Sequence, residues 1–235
     1  MRLVLASASP RRRELLRKAG FEFDVQPGHV AEEMRRDERP EEFARRVARD
    51  KALHVAASTP PGCLVLGADT VVVVDGETLG KPLDPADATR MLRLLSGRTH
   101  QVHTGVCLVK APHHIETLTH ETTRVTFRKL DEEEIRRYVE SGEPADKAGA
   151  YAVQGLASKF VTRISGCYSN VVGLPVARVY GMLKKAESSR QWAVGKGQRA
   201  AGSAQWAGAG GRGQSAVRGG LRAVGSKLWT AHNGQ

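Results

Sequence analysis

Short apolar runs alternate with amphipathic segments over the first 185 residues of the chain. Apolar runs of about four to eight residues are typical of strands, and apolar residues that recur at helical spacing are typical of helices. The predicted strands cover residues 3–6, 21–25, 63–66, 71–74, 102–109, 122–127, 151–153 and 159–164. The predicted helices begin near residues 10, 40, 84, 131 and 175. Because β-α-β stretches are mixed with hairpins, we predict one α/β domain with a mixed sheet.

Local signals define the ends of some of these elements. Asp131 and Glu134 lie three residues apart and match a capping box, so they predict the start of a helix that ends at Gly142. Asp75 and Gly76 separate an apolar run from a polar one. This dipeptide is a strong signal for a tight turn, and it predicts a hairpin after residue 74.

The periodic pattern stops at residue 188. Gly, Ala, Ser, Gln and Arg dominate from there on, and this composition buries too little apolar surface to fold. We therefore predict a folded domain over 1–187 and a disordered tail over 188–235. Residues 186–235 carry seven basic side chains and one acidic side chain, so +6 of the net charge of +11 lies there. Such a tail admits contact with nucleic acid, although we favour an extension without function.

The three cysteines are far apart and have no C-x-x-C spacing. Cys63 and Cys107 fall in apolar runs, where cysteine acts as a small buried hydrophobe. This usage argues against a disulfide framework or a zinc site and favours a reducing compartment. No apolar stretch approaches the ~18 residues of a membrane span, and residues 3–8 are too short for a signal sequence. We expect a cytoplasmic protein with no membrane contact.

Residues that could carry chemistry follow the predicted strands. They are Ser9, Arg11 and Arg12 after the first strand, Asp69 and Thr70 after residues 63–66, and Lys81 beyond the following hairpin. A loop that opens a helix offers free N–H groups to an anion, and arginines add charge-assisted hydrogen bonds. A carboxylate after a buried strand is a candidate general base or metal ligand. The pattern suits a polyanionic, metal-bound ligand such as a nucleoside triphosphate. The alternatives are a solvated basic helix start and a carboxylate that caps a turn.

Other polar residues carry weaker signals. Lys51 falls on the helix that begins near residue 40, and its apolar stem would fit the buried side of that helix. Glu32 and Glu33 lie in a polar loop, where solvation alone would explain them. His100 and His103 lie three apart on a predicted strand and so face opposite ways, which makes joint metal binding unfavourable.

Six motifs in a fixed order raise the value of these separate signals. They are Ser7–Arg12, Gly67–Val72, Gly80–Pro82, Leu95–His100, Asp146–Tyr151 and Val171–Pro175. Together they closely resemble the Maf family of nucleoside triphosphate pyrophosphatases. The resemblance extends from residue 2 to about residue 185, and the basic tail lies outside it.

The resemblance implies a fold, a reaction and a cofactor. The fold would be a single α/β domain with a long, twisted mixed sheet flanked by helices, similar to inosine triphosphate pyrophosphatases, and members commonly form homodimers. The reaction would cleave between the α and β phosphates of a nucleoside triphosphate, with a divalent metal such as Mg²⁺ or Mn²⁺. By motif, Asp69 would accept the proton of the attacking water or bind the metal. Glu32 would help to hold the metal.

The resemblance also implies how the substrate is held. Ser9, Arg12, Lys51 and Lys81 would bind the triphosphate. The remaining matched positions, Arg11, Thr70 and Gln154, would select the base. These positions resemble those of the branch of the family that acts on dTTP and UTP. The amide of Gln154 fits this branch, because an amide can both donate to and accept from a pyrimidine edge. The alternatives are the branch that acts on 7-methyl-GTP, and a nucleotide-binding regulator of septum formation that does not turn its ligand over.

Overall fold

The computed structural model describes residues 2–188, in which one sheet is flanked by helices. The strands are β1 (Leu3–Leu5), β2 (Asp24–Val25), β3 (Leu64–Val74), β4 (Glu77–Leu79), β5 (Thr99–Lys110), β6 (His114–Phe127) and β7 (Val161–Ser165). The α-helices are α1 (Pro10–Lys18), α2 (Pro40–Ala56), α3 (Pro85–Leu95), α4 (Glu132–Glu140), α5 (Tyr168–Val172) and α6 (176–188). The tail predicted to be disordered lies outside the described residues from 189 onward.

The sheet is mixed, as predicted. Its order is β2-β1-β3-β5-β6-β7, and β4 pairs with β3. The strand β1 runs parallel to β2 and β3, and the other pairs are antiparallel. The long hairpin of β5 and β6 forms the body of the sheet, so the short parallel strands lie towards one side of it. Within the described residues, no helix has the length and hydropathy needed to cross a bilayer.

The prediction of two separate strands around Asp69 is wrong. β3 is one strand of eleven residues, and Asp69 lies in its middle and not at a strand end. The pairing with β5 is continuous from Leu64 to Val73 and supplies backbone hydrogen bonds across the Gly, Ala and Asp residues. In contrast, β1 pairs only with residues 64–66 and β4 only with residues 72–74. β3 is thus paired on one side only between these two partners, and Asp69 falls in this interval.

Three other predicted strands differ from the structure. Residues 21–25 form only the two-residue β2, because β1 offers partners to Asp24 and Val25 alone. Residues 151–153 are a short apolar run but form no strand; Tyr151 and Val153 are buried from an irregular segment. The predicted strand 159–164 begins later, at β7, because residues up to Phe160 form a 3₁₀ helix. The short helix α5 was not predicted.

The predicted strands 102–109 and 122–127 are present but longer, as β5 and β6. Their extensions contain Thr, His and Glu residues that, apart from the buried His100, are partly or fully exposed, and these polar residues hide the strand pattern. The predicted capping box of α4 is confirmed: Asp131 Oδ1 accepts a hydrogen bond from the Glu134 N–H at 2.8 Å, and Glu134 Oε2 accepts one from the Asp131 N–H at 3.2 Å. The predicted helix near residue 40 is also confirmed, as the seventeen-residue α2.

Two glycines allow α2 to lie unusually close to the sheet. A Cβ atom on Gly67 of β3 would come within 2.1 Å of the Ala48 carbonyl oxygen. A Cβ atom on Gly105 of β5 would come within 2.1 Å of the Ala44 carbonyl oxygen. Gly105 is the direct cross-strand partner of Asp69, so both glycines lie on the same face of the sheet as Asp69. The close approach of α2 therefore brings its next turn beside Asp69.

Candidate active site

A cavity of about 730 Å³ opens beside the centre of β3. Its walls come from the loop that precedes α1 and the first turn of α1, the segment 27–34, the middle of β3, the segment 146–154 and residues 171–173. Phe43 and Lys51 of α2 and Lys81 after β4 also contribute to the walls. All nine predicted site residues line it: Ser9, Arg11, Arg12, Glu32, Lys51, Asp69, Thr70, Lys81 and Gln154. The chain thus brings together residues that lie up to 145 positions apart in the sequence.

A buried lysine lies between two carboxylates in this cavity. Lys51 Nζ is 2.7 Å from Asp69 Oδ1 and 2.7 Å from Glu32 Oε1. The side chains of Lys51 and Asp69 are 9% and 7% exposed, whereas that of Glu32 is 46% exposed. Glu33 does not line the cavity, and its carbonyl oxygen accepts a hydrogen bond from Arg46. Glu32 is therefore the acidic residue of its loop that shares the site with Asp69.

The two carboxyl groups beside Lys51 have opposite pKa shifts. Burial raises the pKa of Asp69, and the attraction of Lys51 and Arg12 offsets only part of this effect. Burial also raises the pKa of Glu32, but the hydrogen bond and charge of Lys51, with the charge of Lys81, outweigh it and leave the pKa lowered. At neutral pH, Glu32 balances the charge of Lys51. Asp69 is a carboxylate of raised basicity, which suits a general base.

Arg12 is buried and uses most of its donors inside the protein. Its Nε donates to the Gly173 carbonyl at 2.8 Å, and its Nη1 donates to the Ala68 carbonyl at 2.9 Å and to Ser7 Oγ at 3.2 Å. Its Nη2 donates to Thr70 Oγ1 at 3.0 Å. Burial lowers the pKa of Arg12, yet an arginine stays charged at working pH. Arg12 therefore holds three parts of the chain together and contributes a fixed positive charge to the cavity.

Arg11 connects two walls of the cavity. Its Nη1 donates to Asp146 Oδ2 at 3.2 Å and its Nη2 to the Asp146 carbonyl at 3.3 Å. Lys147 Nζ donates to Asp146 Oδ1 at 2.5 Å. Burial raises the pKa of Asp146, but Lys147 and Arg11 outweigh it and lower the pKa overall, so Asp146 is ionised at neutral pH. Ser9 has a local role as the N-cap of α1, since its Oγ accepts the N–H of Arg12 at 3.4 Å.

The remaining predicted residues reach the cavity from different directions. Thr70 points to the face of β3 opposite Asp69, as successive strand residues do, and its Oγ1 lies 2.9 Å from Thr104 Oγ1. Lys81 follows β4, close enough for its charge to lower the pKa of Glu32. Gln154 is exposed, and its side chain makes no hydrogen bond with other residues of the described range. Its amide is thus available to a ligand.

Asp146, Lys147 and Gly173 also line the cavity, although the sequence pattern assigned them no role. The only signal for Asp146 and Lys147 was their place in the motif that ends at Tyr151. Gly173 contributes through its carbonyl oxygen, which side-chain patterns do not reveal.

His100 and His103 lie on opposite faces of β5, as predicted. His100 Nε2 is 2.8 Å from the Tyr151 hydroxyl, and burial lowers the pKa of His100 to about 4. His103 Nδ1 is 3.0 Å from Thr122 Oγ1 on the neighbouring strand. The two imidazoles therefore have separate surroundings and cannot share one ion.

Comparison of the sequence with known proteins places the chain in a known class. Residues 2–186 match the family model of Maf-like proteins, and the chain belongs to that family. Among curated relatives, a dTTP/UTP pyrophosphatase of Koribacter versatilis is 56% identical over 186 residues, which cover 79% of this chain and 95% of the relative. A dTTP/UTP pyrophosphatase of Moorella thermoacetica is 52% identical over 182 residues, which cover 77% of this chain and 93% of the relative.

Similarity to solved structures is weaker. A nucleoside-triphosphatase / dITP/XTP pyrophosphatase from Mycobacterium abscessus aligns over 55% of this chain and 76% of its own, with 15% identity and a TM-score of 0.34. This degree of similarity supports no functional conclusion, so the family assignment rests on the sequence match.

Proposed function

We propose that this protein is a pyrophosphatase that hydrolyses dTTP and UTP to the nucleoside monophosphate and pyrophosphate. The observation that carries the proposal is the buried Asp69–Lys51–Glu32 group in a cavity whose walls also hold Arg11, Lys81 and Gln154. This reaction needs carboxylates that act as a general base and bind a metal ion. It also needs positively charged side chains that bind a polyphosphate and a free amide that recognises the edge of the nucleobase. Relatives with about half of their residues in common carry the same functional name.

In the proposed reaction, Asp69 removes a proton from the attacking water. The water oxygen bonds to the α-phosphorus, the bond from this phosphorus to the oxygen that bridges the α and β phosphates breaks, and its electron pair leaves with pyrophosphate. Lys51 is within hydrogen-bond distance of Asp69 and fixes the orientation of the carboxylate. The positive charges of Lys51, Lys81 and Arg12 stabilise the negative charge that develops on the leaving group. A rigid strand holds Asp69, so the base needs little reorganisation.

A divalent cation, Mg²⁺ or Mn²⁺, belongs to the proposal. Within residues 2–188, no three His, Cys, Asp or Glu side chains are grouped as a metal site. Asp69 and Glu32 nevertheless fit one, because Mg²⁺ is commonly bound by one or two carboxylates together with substrate phosphates and water. We propose that these two residues hold a cation that the nucleotide also binds. When bound, the cation would neutralise phosphate charge.

The residues proposed to determine which nucleobase is bound are Gln154, Arg11 and Thr70. Gln154 offers both a donor and an acceptor to a pyrimidine edge. The position of Arg11 is set by Asp146. The hydroxyl of Thr70 is bound to Arg12 and Thr104, so Thr70 contributes as part of the wall and not as a free hydrogen-bonding group.

Pyrophosphate release from a nucleotide panel tests the proposed function. We expect turnover of dTTP and UTP in the presence of Mg²⁺ or Mn²⁺, lower turnover of CTP and GTP, and none after chelation of the metal. Preference for 7-methyl-GTP would keep the chemistry but reject the proposed branch. Binding of dTTP without turnover of any nucleotide would support the regulator of septum formation in place of the enzyme.

Replacement of Gln154 tests its proposed role in recognising the nucleobase. We expect Gln154→Glu to lower kcat/KM for dTTP about 10-fold, the size of one lost hydrogen bond of about 1.4 kcal/mol, because an ionised carboxylate can only accept. The measurement is the substrate profile of the variant beside that of Gln101→Glu, which makes the same charge change outside the cavity lining. An unchanged profile for Gln154→Glu would remove Gln154 from the proposal.

Three further expectations stay predictions. The residues described include no membrane-spanning helix, and we propose a cytoplasmic location because the substrates are cytoplasmic nucleotides. Homodimer formation and contact of the tail with nucleic acid were expected from the family resemblance and from the charge, respectively.

A further inference from the structure

Two side chains outside the cavity lining hold the loop that carries Gln154. This loop spans residues 152–156 and contains no regular strand. At its start, the Ala152 N–H donates to the Tyr138 hydroxyl at 3.2 Å. At its end, the Leu156 N–H donates to Glu143 Oε2 at 3.0 Å. The backbone on both sides of Gln154 is thus bound to side chains of the α4 region.

The two holding residues are themselves joined. The Tyr138 hydroxyl donates to Glu143 Oε1 at 2.9 Å, so one hydroxyl both accepts from the loop and donates to the carboxylate. Burial raises the pKa of Tyr138, and the contact with Glu143 raises it further, so the phenol stays protonated and keeps its donor. The ring of Tyr138 packs edge-on against Phe160 with centroids 5.3 Å apart. Tyr138 is 2% exposed, which leaves its hydroxyl no freedom to move.

Gly155 brings the loop into direct contact with this pair. A Cβ atom at Gly155 would come within 2.2 Å of Glu143 Oε2 and 2.5 Å of Glu143 Oε1. A side chain at position 155 would displace the Glu143 carboxylate from this place. The backbone of the residue next to Gln154 is therefore seated on Glu143.

Tyr138 and Glu143 are also connected to Arg11. Lys147 Nζ donates to the Glu143 carbonyl at 2.6 Å and to Asp146 Oδ1 at 2.5 Å, and Asp146 holds the Arg11 guanidinium. One polar chain thus runs from Arg11 to the Gln154 loop. Two of the three residues that are proposed to select the base, Arg11 and Gln154, depend on this chain for their positions.

We propose that Tyr138 and Glu143 are positioning residues for base selection, which act by fixing the loop that presents Gln154. This inference rests on the proposed function. It assigns to Tyr138 and Glu143 no contact with the substrate. A base-edge hydrogen bond depends on the donor and acceptor lying within a few tenths of an ångström of their places. We call the hydrogen bonds of Tyr138 and Glu143 to the loop 152–156 the clamp. Loss of the clamp should consequently affect the choice of nucleobase more than the hydrolytic step at Asp69.

The test is Tyr138→Phe in the full chain, which removes one hydroxyl and keeps the ring. We expect faster amide hydrogen exchange at residues 152–156 and a fall of about 5- to 10-fold in the ratio of kcat/KM for UTP to kcat/KM for CTP. The matched control is Ser96→Ala. Its hydroxyl also accepts one backbone N–H and donates to one carbonyl, both of Leu130, at a place outside the cavity lining. This control should leave the ratio unchanged.

A double variant separates positioning from general loosening. In the Gln154→Ala background, Tyr138→Phe should cause no further loss of the UTP to CTP ratio, because the group that the clamp positions is gone. An equal loss in both backgrounds, or unchanged exchange at residues 152–156, overturns the inference. A failure of the proposed function looks different: the unsubstituted protein would then release no pyrophosphate, while the exchange measurement would still report on the clamp.

Discussion

Asp69→Asn is expected to lower pyrophosphate release from dTTP by about 1,000-fold or more, which lies within the range that a positioned general base contributes. The asparagine has the same shape as the aspartate but cannot take a proton from water. The change should weaken dTTP binding far less than it lowers turnover, because Lys51, Lys81 and Arg12 are unaltered and Glu32 remains as a ligand for the proposed cation. The measurement is kcat for dTTP under saturating metal and nucleotide, together with the dissociation constant of dTTP.

The fold of this variant should survive, and the pKa shift gives the reason. Burial raises the pKa of Asp69, so the folded state binds the proton more tightly than the unfolded state does. Stability is therefore lost as the pH rises from the ordinary aspartate pKa through the raised one. The neutral asparagine side chain removes that cost at neutral pH, and Lys51 keeps its contact with Glu32. We expect a Tm at pH 7 equal to or above that of the unsubstituted protein.

The matched control for Asp69→Asn is Asp24→Asn, which changes an exposed partner of Arg2 far from the cavity lining. It should retain full turnover. Turnover of Asp69→Asn at the level of this control would reject Asp69 as the base.

The second large effect, on stability, is expected when a single methyl group is added at Gly67 or at Gly105. Gly67→Ala and Gly105→Ala should each lower the free energy of unfolding by about 3 kcal/mol, the upper part of the usual range for overpacking. In both variants the new Cβ atom would meet a backbone carbonyl oxygen of α2 at 2.1 Å, and a backbone atom cannot move aside as the end of a side chain can. The helix must shift as a body. The measurement is the midpoint of urea unfolding.

Activity should fall with stability in these variants, because α2 carries Lys51. A shift of the helix lengthens the 2.7 Å contact with Asp69, so dTTP turnover should decrease even at temperatures where the protein is folded. Gly181→Ala is the control: it lies in α6, has no atom within 4 Å of the added Cβ, and should be neutral or slightly stabilising. Unchanged unfolding midpoints for Gly67→Ala would show that α2 is not held at the observed distance.

Much of the fold could be predicted from local pattern, and the failures have a common cause. Proline and acidic caps act within one helical turn, so the starts of α2 and α4 follow from the sequence. β3 does not, because Gly67 and Asp69 are poor strand formers that remain in a strand only through continuous pairing with β5 and contact with α2. Tyr151 shows the reverse case: it lies in a short apolar run that predicts a strand, but it is buried from a loop.

The membership of the site could be predicted better than its contacts. Each of the nine residues that motif order indicated lines the cavity. Motif order did not indicate that Arg12 directs most of its donors to carbonyl and hydroxyl groups, because those partners, such as Gly173, come from chain segments that meet only after folding. Nor did it indicate Tyr138 and Glu143, which lie outside the cavity lining and act on backbone N–H groups.

Asp69 and Lys51 are held in place by different parts of the fold from those that hold the Gln154 loop, and this has a consequence for how members of the family diverge in evolution. Asp69 and Lys51 are built into the layered contact of α2 with the central strands, where one added methyl group is costly. Gln154 sits on five irregular residues tied down by two side chains from one neighbouring region. Under the proposed function, new nucleobase preferences would arise by exchange of this short loop, while Asp69 and Lys51 would stay unchanged.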